Sequence, residues 1–312
     1  MIDLHCDTLL KLYDEPQMGD LYSNPWTVDV KKLKKAHSLV QDFAIYIDLK
    51  RQEDSYEQYL RMHQIFDEQM KKYNDYIYPV KTYKDIEQCQ QDGRIGALLS
   101  VEEGGIFGGD IAKLTKAYQG GVRLLTLSWN YPNGLSFPHG AAYVGQGLTA
   151  AGKIFVEKME ELHMIVDVSH LNDAGVADLA DMMKQPFIAS HSNARSLTAH
   201  TRNLTDEQIR LIAERGGVIG LNFAQRFLGD SAVSRIADMV RHAQYIVDIG
   251  GSDVLALGTD FDGISPAVEI ENIGEMDKLA QALEQSGMTV PLVEKIFEKN
   301  ALRFFRDFWS IA

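Results

Sequence analysis

The chain alternates between short, nearly continuous apolar runs and longer stretches with helical spacing. Eight runs stand out, over residues 2–7, 39–48, 95–102, 122–128, 164–170, 186–192, 217–223 and 254–260. A strand covered on both faces keeps apolar residues at successive positions, as in Val122-Arg123-Leu124-Leu125-Thr126-Leu127, so each run is predicted to be a buried strand. Between them, residues 56–73, 150–163, 205–215 and 231–249 carry helical patterns, and Thr205-x-x-Gln208 makes a capping box at the start of the third. Strand alternating with helix implies an α/β fold with a parallel sheet. Eight such units predict a single (β/α)8 TIM-like barrel over residues 1–312, with the active site at the C-terminal ends of the strands. An open doubly wound sheet is the runner-up, but no Gly-x-Gly-x-x-Gly turn follows the first run. The polar segment 131–147 reads as a long loop above the fourth strand.

Composition narrows the function classes. Hydrophobic residues make up 45% of the 312, enough for a large core, yet no uncharged apolar run reaches the ~18 residues of a membrane span. The opening Met1-Ile2-Asp3-Leu4-His5-Cys6-Asp7 carries an acid and a histidine where an export signal needs a basic end and an apolar run, so export is not expected. Two cysteines, Cys6 and Cys89, describe no disulfide framework and suit the cytoplasm. A net charge of −13 argues against nucleic acid, and the run Lys31-Lys32-Leu33-Lys34-Lys35 reads as a solvated helix face.

Candidate chemistry gathers at the predicted strand ends: His5-Cys6-Asp7, Val101-Glu102-Glu103, Asp167-Val168-Ser169-His170, Ser190-His191-Ser192 and Thr259-Asp260-Phe261-Asp262. Residues two apart on a strand face the same side, so His5 and Asp7 can chelate one ion while Cys6 turns toward packing. Any one of these motifs alone reads as an ordinary hydrogen-bonded strand end; five together do not. A catalytic zinc takes about three protein ligands and one open position. His5, Asp7, Glu102, His170 and His191 exceed that number, which points to two ions bridged by a carboxylate, Glu102 or Glu103, with Glu102 favoured. Imidazole with carboxylate favours zinc, and other divalent transition metals fit the same set. Arg123 and Arg195 are expected to be structural, and His37, His63, His163, His200 and His242 to be surface or capping groups; Asp42 and Asp48 have no evident partner.

This ordered set resembles the membrane (renal-type) dipeptidase family, peptidase family M19, among the amidohydrolase-like metal-dependent hydrolase barrels. The resemblance runs from His5 to Gly263 and is most specific in Asp167–His170, Ser190–Ser196 and Thr201–Asp206. It implies that His5 and Asp7 hold one zinc, His170 and His191 the other, and that Glu102 bridges them, with Glu103 as the fallback. It also implies that Arg202 binds the substrate's terminal carboxylate and that Asp260 carries the proton, Asp262 being the less favoured neighbour. Trp129 stands where the renal-type enzymes have a histidine reaching the substrate oxygen, leaving that task to the second metal or to His139 of the long loop. The implied function is a cytoplasmic two-zinc dipeptidase in which a metal-bridging hydroxide attacks the amide of a dipeptide, C-terminal D-residues included. The competing readings are an amidohydrolase of N-acyl amino acids or cyclic amides and a vestigial metal-binding barrel; the proton carrier Asp260 counts against the latter. A homodimer is compatible with the fold, though no sequence patch marks an interface.

Overall fold

Backbone groups buried between two layers of side chains must bond to one another, and the apolar runs meet that demand as a parallel sheet. Its strands are β1 (Ile2–Asp3), β2 (Val40–Tyr46), β3 (Ile77–Pro79), β4 (Ile95–Glu102), β5 (Val122–Thr126), β6 (Ile165–Asp167), β7 (Ile219–Leu221) and β8 (Leu255–Leu257). The structure is a computed structural model that describes residues 1–51, 54–265 and 267–310. The strands run in the order β6-β5-β4-β2-β1-β8-β7, with β3 paired to β4 off this path. First and last strands meet: Asp3 of β1 pairs with Leu257 of β8. The architecture is α/β and TIM-barrel-like, with the helices packed outside the sheet.

Two strand expectations need correction. Residues 186–192 form no regular strand; they contribute isolated bridges, Ile188 to Asp167 and Ala189 to Ile219. The reason lies in side chains that take the backbone N–H groups: Ser190 N donates to Asp167 Oδ1 at 2.8 Å and His191 N to Ser169 Oγ at 3.1 Å. The segment also crowds its neighbours, since a Cβ on Gly220 or Gly258 would stand 1.9 Å from the Ser190 carbonyl oxygen. Only glycine permits that approach. The second correction is β3, which the pattern did not predict because Ile-Tyr-Pro is short and only half covered; it borders β4 at Ile95–Ala97, before β5 takes the same edge from Leu99 onward.

The four predicted helices are present as Ser55–Lys72, Ala150–Glu161, Asp206–Glu214 and Ile236–Gly250. The Thr205 capping box closes as expected, with Gln208 N donating to Thr205 Oγ1 at 3.2 Å and Thr205 N to Gln208 Oε1 at 2.9 Å. The last helix starts later than predicted because Ser234 N is drawn into a bond with Ala267 O at 2.8 Å.

The interior is layered by the two-residue strand period. Leu4, Leu98, Leu124, Ile165, Ile188, Val218 and Ala256 form one buried apolar cluster, closed below by Phe304, Phe305 and Phe308 of the helix Asn300–Trp309. Two residues further along β4, β5, β6 and the 186–192 segment stand Ser100, Thr126, Asp167 and Ser190, all fully or almost fully buried. These polar groups bond to one another: Ser100 Oγ donates to Asp42 Oδ2 at 2.6 Å, and Thr126 Oγ1 and Ser190 Oγ donate to Asp167 Oδ2 at 2.7 and 2.6 Å. Asp42, partnerless in the sequence reading, belongs to this layer. One step higher on β4 comes Glu102.

Candidate metal centre

Glu102 ends β4 in the middle of the expected ligands. Its Oε2 lies 3.4 Å from His5 Nε2, and its Oε1 lies 2.9 Å from His170 Nε2 and 3.4 Å from His191 Nε2. His5 Nε2 is also 3.6 Å from Asp7 Oδ2, and the His5 and His191 rings stack at 3.8 Å. Every member of the five is buried. Three overlapping groups emerge, His5 with Asp7 and Glu102, Glu102 with His170 and His191, and His5 with His191 and Asp260, each with ligand atoms within 4.8 Å of one another. Cys6 turns the opposite way, its thiol on the Asp42 carbonyl oxygen at 3.2 Å. Glu103 leaves the cluster through a left-handed φ of 128°. Its carboxylate accepts from Gly105 N at 2.7 Å, Trp129 N at 3.1 Å and the Asn133 side chain, and so anchors the loop.

The surrounding hydrogen bonds fix which ring nitrogens are free. Ser190 gives its hydroxyl hydrogen to Asp167 and therefore accepts from His191 Nδ1, 2.7 Å away. His170 Nδ1 donates to Asn130 Oδ1 at 2.9 Å. Both histidines thus carry the proton on Nδ1 and turn bare Nε2 atoms toward each other, 3.1 Å apart. Burial pushes the His170 ring down to about 3 and His191 in the same direction, so neither ring charges to relieve the contact. Facing lone pairs beside Glu102 are unfavourable alone and favourable around a cation. His5 Nε2 and Asp7 Oδ1 are likewise buried without hydrogen-bond partners. Imidazole nitrogens and carboxylate oxygens at this spacing suit divalent metal with bonds of about 2.0–2.2 Å, and the residues fit such ions.

A cavity of about 160 Å3 opens above the cluster, lined by Asp7, Glu102, Trp129, Arg226, Phe227 and Asp260 among others. The Trp129 ring stands edge-on to Tyr46 at 4.9 Å and forms one wall. Asp260, at a left-handed φ of 61°, accepts from Asn222 Nδ2 at 2.9 Å. Burial pushes its carboxyl up to about 7 against the pull of His5. Asp262 is fully committed, accepting from Thr8 Oγ1 at 2.6 Å and from Thr27 N and Oγ1 at 2.8 and 2.5 Å. Arg202 is buried beneath the site, with Nη1 on Ser192 Oγ at 2.8 Å and Nη2 on His191 O at 2.9 Å. Its Nε has no partner, and no carboxylate pairs with it among the described residues. His139 does not line the cavity; its Nε2 donates to Asn130 Oδ1 at 3.0 Å and its Nδ1 accepts from Thr201 Oγ1 at 2.8 Å, so both nitrogens are engaged.

The sequence profile of the membrane dipeptidase family, peptidase family M19, matches residues 1–312. The chain belongs to the membrane dipeptidase family. As a member it is a metallo-dipeptidase, a peptide hydrolase. A Klebsiella pneumoniae protein known as an uncharacterized protein in the pqqA 5' region is 36% identical over 236 residues, 72% of this chain and 87% of that one. An uncharacterized dipeptidase of Schizosaccharomyces pombe is 29% identical over 296 residues, 89% of this chain and 71% of that one. Among solved structures, dipeptidase AC, a family M19 metallopeptidase, superposes with a TM-score of 0.92 at 28% identity, covering 99% of this chain and 98% of the other. A Rhodobacter sphaeroides metallopeptidase liganded with a phosphinate mimic of the dipeptide L-Ala-D-Ala gives 0.92 at 26% identity, covering 99% of both chains.

In this M19 chain the candidate ligands are held by groups to which the sequence alone assigns no role. Ser190 and Asp167 adjoin or precede the candidate ligand histidines, and a serine directly before a histidine at a strand end is the available signal. Asn130 stands just before the loop 131–147, and Asn222 is the one polar residue of the otherwise apolar run 217–223. His242, expected at the surface, is fully buried, its Nδ1 accepting from Ala194 N at 3.1 Å and its Nε2 donating to Leu228 O at 3.1 Å. Arg195 pairs with Asp173 at 2.7 Å, and Arg123 donates to the backbone carbonyls of Lys81 and Tyr118 at 2.8 and 2.7 Å.

Proposed function

We propose that this chain, as one domain, closes into an eight-stranded barrel with the 186–192 segment as its sixth stave, and that it is a two-zinc dipeptidase of the cytoplasm. The observation that carries the reading is the position of Glu102, shared between His5 and Asp7 on one side and His170 and His191 on the other. Such ions polarise an amide carbonyl and lower the pKa of water to about 7.

The chain's own residues do the rest. Arg202 is a buried cation without a counter-ion, an arrangement that is costly unless an anion arrives, and its remaining N–H groups suit the terminal carboxylate of a dipeptide. Fixing that carboxylate sets the distance to the scissile amide and favours dipeptides over longer chains. Asp260, steadied by Asn222, accepts the proton of the attacking water and returns it to the leaving amine. Trp129 walls the cavity and packs on the substrate, and His139 holds Asn130 and through it His170. The likeness to the R. sphaeroides enzyme and its bound mimic supports acceptance of C-terminal D-residues.

The test is metal content per chain together with ninhydrin assays on L-L and L-D dipeptides, for the natural protein and Asp260→Asn. About two ions per chain are expected, with turnover lowered about 10²- to 10⁴-fold in the variant at unchanged metal content. One ion or none, with no turnover after zinc is restored, overturns the proposal.

A further inference from the structure

The cavity above the metal cluster holds a second guanidinium that neither the hydrolytic chemistry nor the terminal carboxylate uses. Arg226 sits on the short helix Gln225–Leu228 just after β7 and lines the same cavity as Glu102 and Asp260. Among the described residues it makes no hydrogen bond and no ion pair. The chain has 44 Asp and Glu against 31 Lys and Arg, so an unpaired arginine here does not reflect a shortage of acids.

Its backbone is held firmly. Asn203 Nδ2 donates to Phe227 O at 2.9 Å and Ala224 N to Asn222 Oδ1 at 2.6 Å, tying the segment to the residues around Arg202 and Asp260. Both arginines flank one ring: the Arg226 guanidinium carbon lies 5.0 Å from the Phe227 centroid and that of Arg202 5.8 Å. After burial, Arg226 is among the charges that depress Arg202, so the two cations feel each other. A simple dipeptide brings one free carboxylate to two guanidiniums, while the acids lining the cavity are assigned to metal and proton transfer or, at Asp262, bonded to Thr8 and Thr27.

We propose that Arg226 reads a second carboxylate, the acidic side chain of the substrate's C-terminal residue, and that the preferred substrates are dipeptides ending in aspartate or glutamate. This rests on the dipeptidase reading and on Arg202 holding the main-chain carboxylate. With that group at Arg202, the side chain next to it is the one that faces Arg226. A charge-assisted, bidentate arginine–carboxylate contact discriminates against the isosteric amide by about 10- to 100-fold.

The experiment compares kcat/KM for Gly-Asp with Gly-Asn, in L and D forms, using the zinc-loaded protein and the variants Arg226→Met and Arg226→Lys. The natural protein prefers Gly-Asp by about 10-fold or more, Arg226→Met brings the ratio close to one, and Arg226→Lys retains part of it. A ratio that Arg226→Met leaves unchanged, or a loss of equal factor on both peptides, overturns the assignment; the latter places Arg226 on the terminal carboxylate instead. If the zinc-loaded natural protein hydrolyses no dipeptide, the dipeptidase reading fails by itself. Calorimetric binding of Gly-Asp and Gly-Asn to the natural protein and Arg226→Met then decides the role of Arg226 by the same ratio.

Discussion

Replacing Ser190 with alanine removes one hydroxyl and should change how the protein holds metal. Ser190 Oγ stands between Asp167 Oδ2 at 2.6 Å and His191 Nδ1 at 2.7 Å, so it relays the aspartate's charge to the ring and fixes the proton on Nδ1. In Ser190→Ala, Asp167 keeps Thr126 Oγ1 and the backbone N–H groups of Ser169 and Ser190, so its own cost is small. His191 Nδ1 loses its partner in a buried setting, worth about 1–3 kcal/mol. Loss of an outer hydrogen bond to a ligating histidine typically weakens metal affinity about 10- to 100-fold, or about 1.4–2.7 kcal/mol. One of the two ions should weaken by that factor while the other, on His5 and Asp7, stays close to its original affinity. Chelator competition with a fluorescent zinc indicator reads the two affinities, and urea unfolding in excess chelator reads the metal-free fold separately. Two unchanged affinities would refute the relay and the tautomer argument with it.

Glu102→Gln should lower the affinity of both ions, because the shared carboxylate touches both histidine groups; metal analysis after gel filtration would show well under two ions per chain, against about two for the natural protein. His242, pushed down to about 4 by burial against an ordinary value near 6.5, gives a pH signature of stability. The unfolded chain takes up its proton first as pH falls, so the stabilisation is complete above about 6.5 and is lost toward pH 4, at up to ~1.4 kcal/mol per unit from this one group. Urea midpoints of the metal-free protein and His242→Gln across that window should show a shallower slope in the variant; parallel slopes would remove His242 from the account.

The candidate ligands are legible in the sequence because each sits at the end of an apolar run, where period and direction are both readable. His5 and Asp7 facing one way with Cys6 the other follows from strand geometry alone. That Glu102 enters the cluster while Glu103 leaves it follows from the left-handed backbone at Glu103, which adjacent identical acids conceal. The 186–192 run looked like a strand because composition records burial; that its N–H groups bond to side chains of Asp167 and Ser169 is a property of the assembled interior. Arg226 gave no signal at all, since an exposed arginine after a strand looks like any solvated residue until the cavity beside it is seen.

Pairing of β1 with β8 sets the order in which this centre can come into being. Asp3 bonds to Thr259, 256 positions away, and only that seam brings His5 and Asp7 beside Asp260. The candidate ligands His5 and Asp7 therefore cannot stand beside Asp260 until the chain near residue 260 is in place, because contacts so distant must await most of the intervening chain. In the proposed centre an ion shared by His5, Asp7 and Glu102 would fasten β1 to β4 beside that seam. That fastening adds to a sheet already held by its own hydrogen bonds, so chelator should lower the urea midpoint of the protein without unfolding it.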